Sequence, residues 1–319
     1  HVLQNLNIDC DYMVGAQLEG FDTMVKLTHQ AQIIILEGDE YLSSPIDRRP
    51  KFHLYHPHIA VLSGIAWDHI NVFPTFEMYV DQFRIFKNMV EETLIYCEED
   101  EELHKLTKEK VKCKLVPYST PEHKIIEGVT SVEGTELLIF GNHNLQNLNA
   151  AKLVCNELEI SDTDFYKEIS TFKGASNRLE LVRKTNTSAV YKDFAHSPSK
   201  LKATSSAMKK QFQERKLVAC MELHTFSSLN EEFLKQYTGC MDKPDTAIVY
   251  FNPGAIAHKK IEPISKEQVH TAFGRENLLV FTNSIELEKH LKSLVWENKN
   301  LLMMSSGTFD GIEFGELII

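Results

Sequence analysis

A chain of 319 residues is too long for one ordinary hydrophobic core and long enough for two. At 43% hydrophobic and 25% charged it has the composition of a folded globular protein, which excludes a disordered chain. A net charge of −11 argues against nucleic acid or an anionic membrane as the main partner, while an anionic small substrate needs only a local basic pocket.

In chain order, residues 1–16 read as the end of a helix running into a strand, the expectation for a piece of a longer protein. Apolar runs over 12–15, 31–36, 59–62 and 92–96 read as strands. Between the last two, Tyr79, Phe83, Phe86 and Val90 recur at helical spacing, so 76–90 should pack a helix on the sheet. Residues 111–116 and 135–140 are further strands, and the Lys-rich stretch 105–114 reads as a solvated face or turn. Residues 147–158 read as a helix with Leu148, Ala151, Val154 and Cys155 on one face. Asp162 or Asp164 is placed to cap the next helix, which runs to Thr171. The turn-rich run Lys173-Gly174-Ala175-Ser176-Asn177-Arg178 marks a boundary between domains at 1–177 and 178–319. Beyond it, short strands at 190–194, 217–221, 246–251, 278–281 and 300–304 alternate with helical stretches. The fold class expected is α/β, with mainly parallel sheet flanked by helices and a second, Rossmann-like domain of five or so strands. No apolar run approaches the roughly 20 residues of a membrane span. Six cysteines without a CxxC pattern read as reduced thiols of a cytoplasmic protein.

Two strand ends carry residues that apolar strands do not need: Glu37-Gly38-Asp39-Glu40 after 33–36, and Trp67-Asp68-His69 after 59–63. Ligands of open α/β sheets bind at the carboxyl ends of strands. Two neighbouring strands ending in carboxylates and a histidine point to a hard cation such as Mg²⁺, whose usual companion is a nucleotide phosphate. A solvated acidic loop beside a hydrogen-bonded core histidine is the competing reading. Further on, Gly141-Asn142-His143-Asn144, with Asn147 one turn later, offers amides able to read a purine edge, or an ordinary helix cap. Arg178 suits a phosphate or ribose, or is a surface charge. Asp193-Phe194-Ala195-His196-Ser197-Pro198 leaves a strand and opens a helix at its proline, a plausible ligand turn. The Gly-rich 303–311 stretch has backbone amides that could hold an anion. Asp47, Arg48, Arg49 and Lys51 fit substrate contacts or a loop ion-pair cluster. There is no G-x-S-x-G elbow and no G-x-x-x-x-G-K-[ST] phosphate loop.

Taken together, these residues resemble the Mur ligases of peptidoglycan synthesis, ATP-dependent enzymes that activate a carboxylate as an acyl phosphate for attack by an amine. Five motifs of that family occur in its order: E-x-D-E at Glu37–Glu40, D-H at Asp68-His69, G-x-H-N-x-x-N at Gly141, His143, Asn144 and Asn147, the Gly-turn-Arg at Gly174 and Arg178, and D-[YF]-[AG]-H-x-P at Asp193–Pro198. The resemblance implies a central ATP-binding domain over 1–177 that lacks its phosphate loop, followed by a C-terminal Rossmann-like ligase domain over 178–319. It implies that Glu37 and His69 hold Mg²⁺ near the γ-phosphate, that Asn144 and Asn147 sit at the adenine, and that Arg178 and Asp193 meet phosphates or ribose. His196 would lie near the incoming amine or the phosphates. EGDEY followed by DRRPKFHLYHP, with the MSSGTFDG stretch, looks most like the murein peptide ligase branch. That branch joins UDP-N-acetylmuramate to L-Ala-γ-D-Glu-meso-diaminopimelate in murein recycling, and the branch adding L-alanine is the alternative. A non-catalytic nucleotide- or sugar-binding module is the alternative of another class. Ser197 stands where the nearest relatives of the resemblance usually have a second histidine.

Overall fold

The computed structural model describes residues 1–15, 23–67, 72–258 and 262–318. It divides into two compact units, one of His1–Lys124, Ser131–Leu138 and Asn142–Phe172, the other of Ile125–Thr130, Ile139–Gly141 and Lys173–Ile319.

The first unit opens with α1 (Val2–Asn5), β1 (Asp11–Met13), β2 (Val25–Lys26) and β3 (Ile34–Leu36). These strands form a sheet of order β2-β1-β3, in which β1 runs antiparallel to β2 and parallel to β3. There follow β4 (Ile59–Leu62), α2 (Phe76–Lys87), β5 (Thr93–Cys97), α3 (Glu101–Thr107) and β6 (Lys114–Tyr118). Strands β4, β5 and β6 pair in sequence and in parallel, as β-α-β connections require. Phe83 and Phe86 of α2 and Leu103 and Leu106 of α3 bury against Leu94 and Ile95 of β5. Both helices start on a side-chain cap: Thr75 accepts from the Met78 N–H, and Asp100 from the Leu103 N–H at 2.9 Å. The other oxygen of Asp100 accepts from the Ile65 N–H at 3.1 Å and so ties down the chain leaving β4.

A further three-stranded sheet, β7 (His123–Ile126), β8 (Val129–Val132) and β9 (Thr135–Leu137), precedes α4 (Asn142–Glu157) and α5 (Asp162–Ile169). The helix expected from residue 147 starts five residues earlier, directly after Gly141 turns the chain at φ 89°. It buries Leu145, Leu148, Ala150 and Cys155 and leaves Ala151 exposed. The cap of α5 is Ser161, with Asp162 and Asp164 in the first turn, where carboxylates favour the helix dipole. One expectation fails outright. Among the described residues β3 is bonded to β1 and β4 to β5, in separate sheets, so the two acidic strand ends are not ladder neighbours. An apolar run encodes a strand but not its partner.

The second unit holds a six-stranded sheet of β10 (Glu180–Lys184), β11 (Ala189–Asp193), β12 (Lys216–Glu222), β13 (Thr246–Tyr250), β14 (Leu279–Phe281) and β15 (Lys299–Met304). Their order is β10-β11-β15-β12-β13-β14, parallel except for the antiparallel edge strand β10. The edge strand escapes sequence reading because Glu180, Arg183 and Lys184 break its apolar run. Helices α6 (Pro198–Gln211), α7 (Glu231–Leu234), α8 (Pro253–His258), α9 (Lys266–Phe273) and α10 (Ser284–Ser293) complete the unit. Alternate residues of the central strands enter two different cores. Ala219, Met221, Val249 and Leu302 pack with Leu201 and Met208 of α6 and Val269 of α9. Val218, Cys220, Ile248 and Leu301 pack with Leu287 and Leu291 of α10 and with Trp296. Burial on both faces is why these strands read as unbroken apolar runs. Strand β15 returns between β11 and β12, where the connections change from one face to the other, so the chain reverses there. In such sheets the crevice at the carboxyl ends beside that point takes the ligand.

Candidate active site

In the first unit Glu37 leaves β3 exposed, and its Oε2 accepts the Gly15 N–H at 2.6 Å. Asp39 accepts from the Tyr41 N–H at 2.7 Å and from Lys51 Nζ at 2.6 Å, and Glu40 accepts from the Tyr79 hydroxyl at 2.8 Å. Glu37 is therefore the carboxylate of this turn that stands most open, and a hard, exposed oxygen donor fits Mg²⁺. Asp68 and His69 lie outside the described residues, so the expected partner ligand has no geometry here. Among the described residues no group of three or more His, Cys, Asp or Glu side chains is arranged to hold a metal. Of the loop residues 47–51, Asp47 pairs with Arg49 at 2.6 Å and Lys51 with Asp39, the ion-pair arrangement rather than an open cationic patch. The Arg49 side chain holds the Asp47 carboxyl down at about 2.

Asn144 and Asn147 stand three residues apart near the start of α4, so they share one side of the helix. Asn147 is exposed and Asn144 half-buried. Their neighbours anchor the helix: Gln146 donates to Glu99 at 2.8 Å and Asn149 to the Ser119 carbonyl at 2.9 Å.

The second unit brings Arg178, Asp193 and His196 together. Asp193 ends β11 only 6% exposed, and its two oxygens accept the Leu179 and Ala195 N–H groups, each at 2.7 Å. The Thr204 hydroxyl approaches at 3.5 Å. The carboxylate thus staples two turns together. Asn177 and Leu179, both non-glycine, sit at φ 55° and 46°, left-handed backbone that needs such anchoring. The guanidinium of Arg178 lies 5.7 Å over the Phe194 ring, and Phe194 packs edge-on against His196. His196 Nδ1–H donates to the Phe194 carbonyl at 2.8 Å, which fixes the tautomer and turns Nε2 away from the backbone. The Tyr237 hydroxyl donates to the His196 carbonyl at 2.5 Å.

Sequence reading missed a second cluster on the same carboxyl edge. Glu222 ends β12 with a side chain 4% exposed, and its Oε2 accepts the Ser305 hydroxyl and, at 3.0 Å, the Phe309 N–H. The Gly307 N–H turns inward to Ser305 Oγ at 2.6 Å. In the Gly-rich stretch the Phe309 and Gly307 amides are therefore taken up within the protein, by Glu222 and Ser305, rather than left open. Beyond it, Tyr250 Oη–H and Asn252 Nδ2–H donate to Asp310 Oδ2. Burial, and then the Asp310 bond, push the Tyr250 hydroxyl up. The missed signal was a carboxylate closing an apolar strand at Met221-Glu222, the pattern already noticed at Glu37.

Comparison with known proteins bears on the first unit directly. Residues 17–155 match the Mur ligase middle domain. Among curated relatives, the UDP-N-acetylmuramate–L-alanine ligase of Lactococcus lactis subsp. lactis (strain IL1403) is 24% identical over 281 residues. That alignment covers 82% of this chain and 59% of the relative, so the chain spans less than two thirds of that protein's length. The crystal structure of UDP-N-acetylmuramate-alanine ligase MurC from Thermotoga maritima superposes with a TM-score of 0.70 at 17% identity, covering 97% of this chain and 68% of that one. A murein peptide ligase from Psychrobacter arcticus 273-4 gives 0.61 at 20% identity, covering 99% and 73%. At these identities the structures establish a shared fold: an α/β chain with parallel sheets, as in the middle and C-terminal domains of Mur ligases.

Proposed function

We propose that this chain supplies the ATP-binding and C-terminal portions of a Mur ligase that joins the carboxylate of UDP-N-acetylmuramate to an amine through an acyl phosphate. The observation that carries the reading is the Mur ligase middle-domain match over residues 17–155. The order of the five motifs supports it independently. L-alanine is the amine best supported, because the curated relative reported above is an alanine ligase. The tripeptide reading drawn from the 37–57 stretch is second, favoured by fold likeness to the murein peptide ligase. The domain assignment stands in the same proposal: residues 1–177 as the ATP-binding part and 178–319 as the ligase part.

In this reading Glu37 and His69 hold Mg²⁺, which shields phosphate charge during phosphoryl transfer. Asn144 and Asn147 present paired donors and acceptors to the adenine. Arg178, planar and stacked on Phe194, suits a phosphate. Asp193 enters through its hydrogen bonds, fixing the turns that carry Arg178 and His196 close to phosphate or ribose. His196, held in one tautomer, faces the incoming amine or the phosphates. No protein nucleophile is needed, since ATP converts the carboxylate into one bearing a good leaving group. The six unpaired cysteines support a reducing, cytoplasmic setting, and among the described residues no helix is long and apolar enough to cross a membrane.

The test is phosphate release from ATP by the full-length protein with Mg²⁺ and UDP-N-acetylmuramate, with L-alanine and the Ala-γ-Glu-diaminopimelate tripeptide offered separately. Turnover with alanine assigns the biosynthetic step, and turnover with the tripeptide alone assigns recycling. Nucleotide binding without turnover on either amine refutes both and leaves a binding module.

A further inference from the structure

Between Asn144 and Asn149, α4 carries four amide side chains, and what they touch divides them into two pairs. Gln146 donates to Glu99 Oε2 at 2.8 Å, and Asn149 donates to the Ser119 carbonyl at 2.9 Å. Glu99 is itself fixed by Thr120, whose N–H donates to Oε1 at 2.6 Å and whose hydroxyl donates to Oε2 at 3.2 Å. Both links therefore end on Ser119 and Thr120, the two residues that follow β6. At about 100° per residue, the Asn144–Asn147 side of the helix lies roughly 160° from the Gln146–Asn149 side. Leu145 and Leu148 are buried, but apolar burial is non-directional and lets a helix roll. Hydrogen bonds are directional and stop the roll. A second tie, from Glu157 to the Thr93 hydroxyl at 2.9 Å and Lys114 Nζ at 2.7 Å, holds only the far end of α4. With side-chain ends about 5–6 Å from the axis, a roll of about 20° carries Asn147 roughly 2 Å sideways. That is enough to break a hydrogen bond.

We propose that Gln146 and Asn149 are positioning residues for the nucleotide base: by docking α4 on Glu99 and the Ser119 carbonyl, they hold Asn144 and Asn147 at the angle that reads adenine. This rests on the adenine reading of those two asparagines. Every residue involved lies in the first unit, so the device is complete within it. Glu99 acts as an acceptor shared by the strand exit and the helix, so a carboxamide should serve in its place. Its oxygen takes the Thr120 N–H, and its NH₂ meets Gln146, whose amide can turn over to offer an oxygen.

The experiment uses the full-length protein and measures MgATP binding by calorimetry, together with KM for ATP and for UDP-N-acetylmuramate. Gln146→Ala and Asn149→Ala should each weaken ATP about fivefold, with KM for UDP-N-acetylmuramate within about twofold of wild type. Glu99→Ala should match Gln146→Ala, and the Glu99→Ala/Gln146→Ala double variant should stay within about twofold of either single, because both break one link. Glu99→Gln should bind ATP within about twofold of wild type. Asn149→Ala leaves the Glu99 link untouched and serves as the independent arm if Glu99→Ala disturbs folding. Additive losses in the double variant overturn the docking role and make Gln146 a direct contact of the base. Unmoved ATP affinity in both Gln146→Ala and Asn149→Ala overturns it and leaves two structural bonds. Equal losses for ATP and UDP-N-acetylmuramate overturn it in favour of a general disturbance of the unit. Absence of ATP binding by the wild type sinks the adenine reading itself, a result distinct from wild-type binding that the variants leave unchanged.

Discussion

Replacing Asp193 tests whether the turn carrying His196 is held by the carboxylate as described. Two buried N–H groups, Leu179 and Ala195, have it as their acceptor at 2.7 Å. Asp193→Ala orphans both, and each buried unsatisfied donor costs about 1–3 kcal/mol. Relief of the carboxylate's own desolvation offsets part of this, so about 2–4 kcal/mol is expected. Asp193→Asn keeps one acceptor and turns an amide NH₂ toward the other N–H, so it should cost less, about 1–3 kcal/mol. Trp296 is buried in the second unit and, in a Trp67→Phe background, is the remaining tryptophan of these 319 residues. Its fluorescence during urea unfolding therefore follows the unit in question. At an m-value of about 2 kcal/mol/M, Asp193→Ala should lower the midpoint by roughly 1–2 M. A shift below about 0.25 M, or Asp193→Asn more damaging than Asp193→Ala, would refute the reasoning.

Glu37→Gln keeps an oxygen for the Gly15 N–H but gives up the charge, so under the ligase reading the Mg²⁺ concentration for half-maximal phosphate release should rise at least about tenfold with folding intact. An unchanged Mg²⁺ requirement would remove Glu37 from the metal site. Buried Lys87, hydrogen-bonded to Glu109, holds that carboxyl below its ordinary range. The folded value is the lower one, so its stabilisation is complete above the unfolded carboxylate value of about 4.3 and is lost as pH falls through the folded value. Glu109→Gln should therefore flatten the acid limb of a melting-temperature profile measured from pH 6 downward, and an unchanged limb would remove the pair from the account. Ser265 caps α9 in a reciprocal box with Gln268, so Ser265→Ala should cost about 1 kcal/mol by the Trp296 urea assay.

The fold was legible wherever one physical cause dominated. The buried strands of the second unit announced themselves because both faces are covered, and α2 did so because Tyr79, Phe83 and Phe86 share one buried side. What escaped was set by something other than periodicity. Strand β10 is a half-polar edge, β2 is two residues long, and the sheet partners of β3 and β4 are tertiary choices that leave no local mark. The start of α4 was misread because Asn142, His143 and Asn144 are weak helix formers, and the tertiary setting overrode their propensity.

The site shows a sharper limit. Spacing singles out polar groups at strand ends, yet such groups are of two physical kinds that no spacing separates. Asp193 and Glu222 are buried acceptors, each satisfied by protein donors from two segments. Glu37 and Arg178 stand exposed on the same kinds of turn, and Asn147 stands exposed on α4. A sequence motif merges the two kinds because losing either abolishes the same arrangement. Donor geometry divides them, and the division has an experimental consequence. Substitution at Asp193 should act first on unfolding, whereas Arg178→Ala, which removes only a cation stacked on Phe194, should leave the Trp296 transition within about 0.5 kcal/mol of wild type. If Arg178→Ala instead destabilises the second unit as much as Asp193→Ala, the stack is part of the staple and the assignment of Arg178 to phosphate loses its ground.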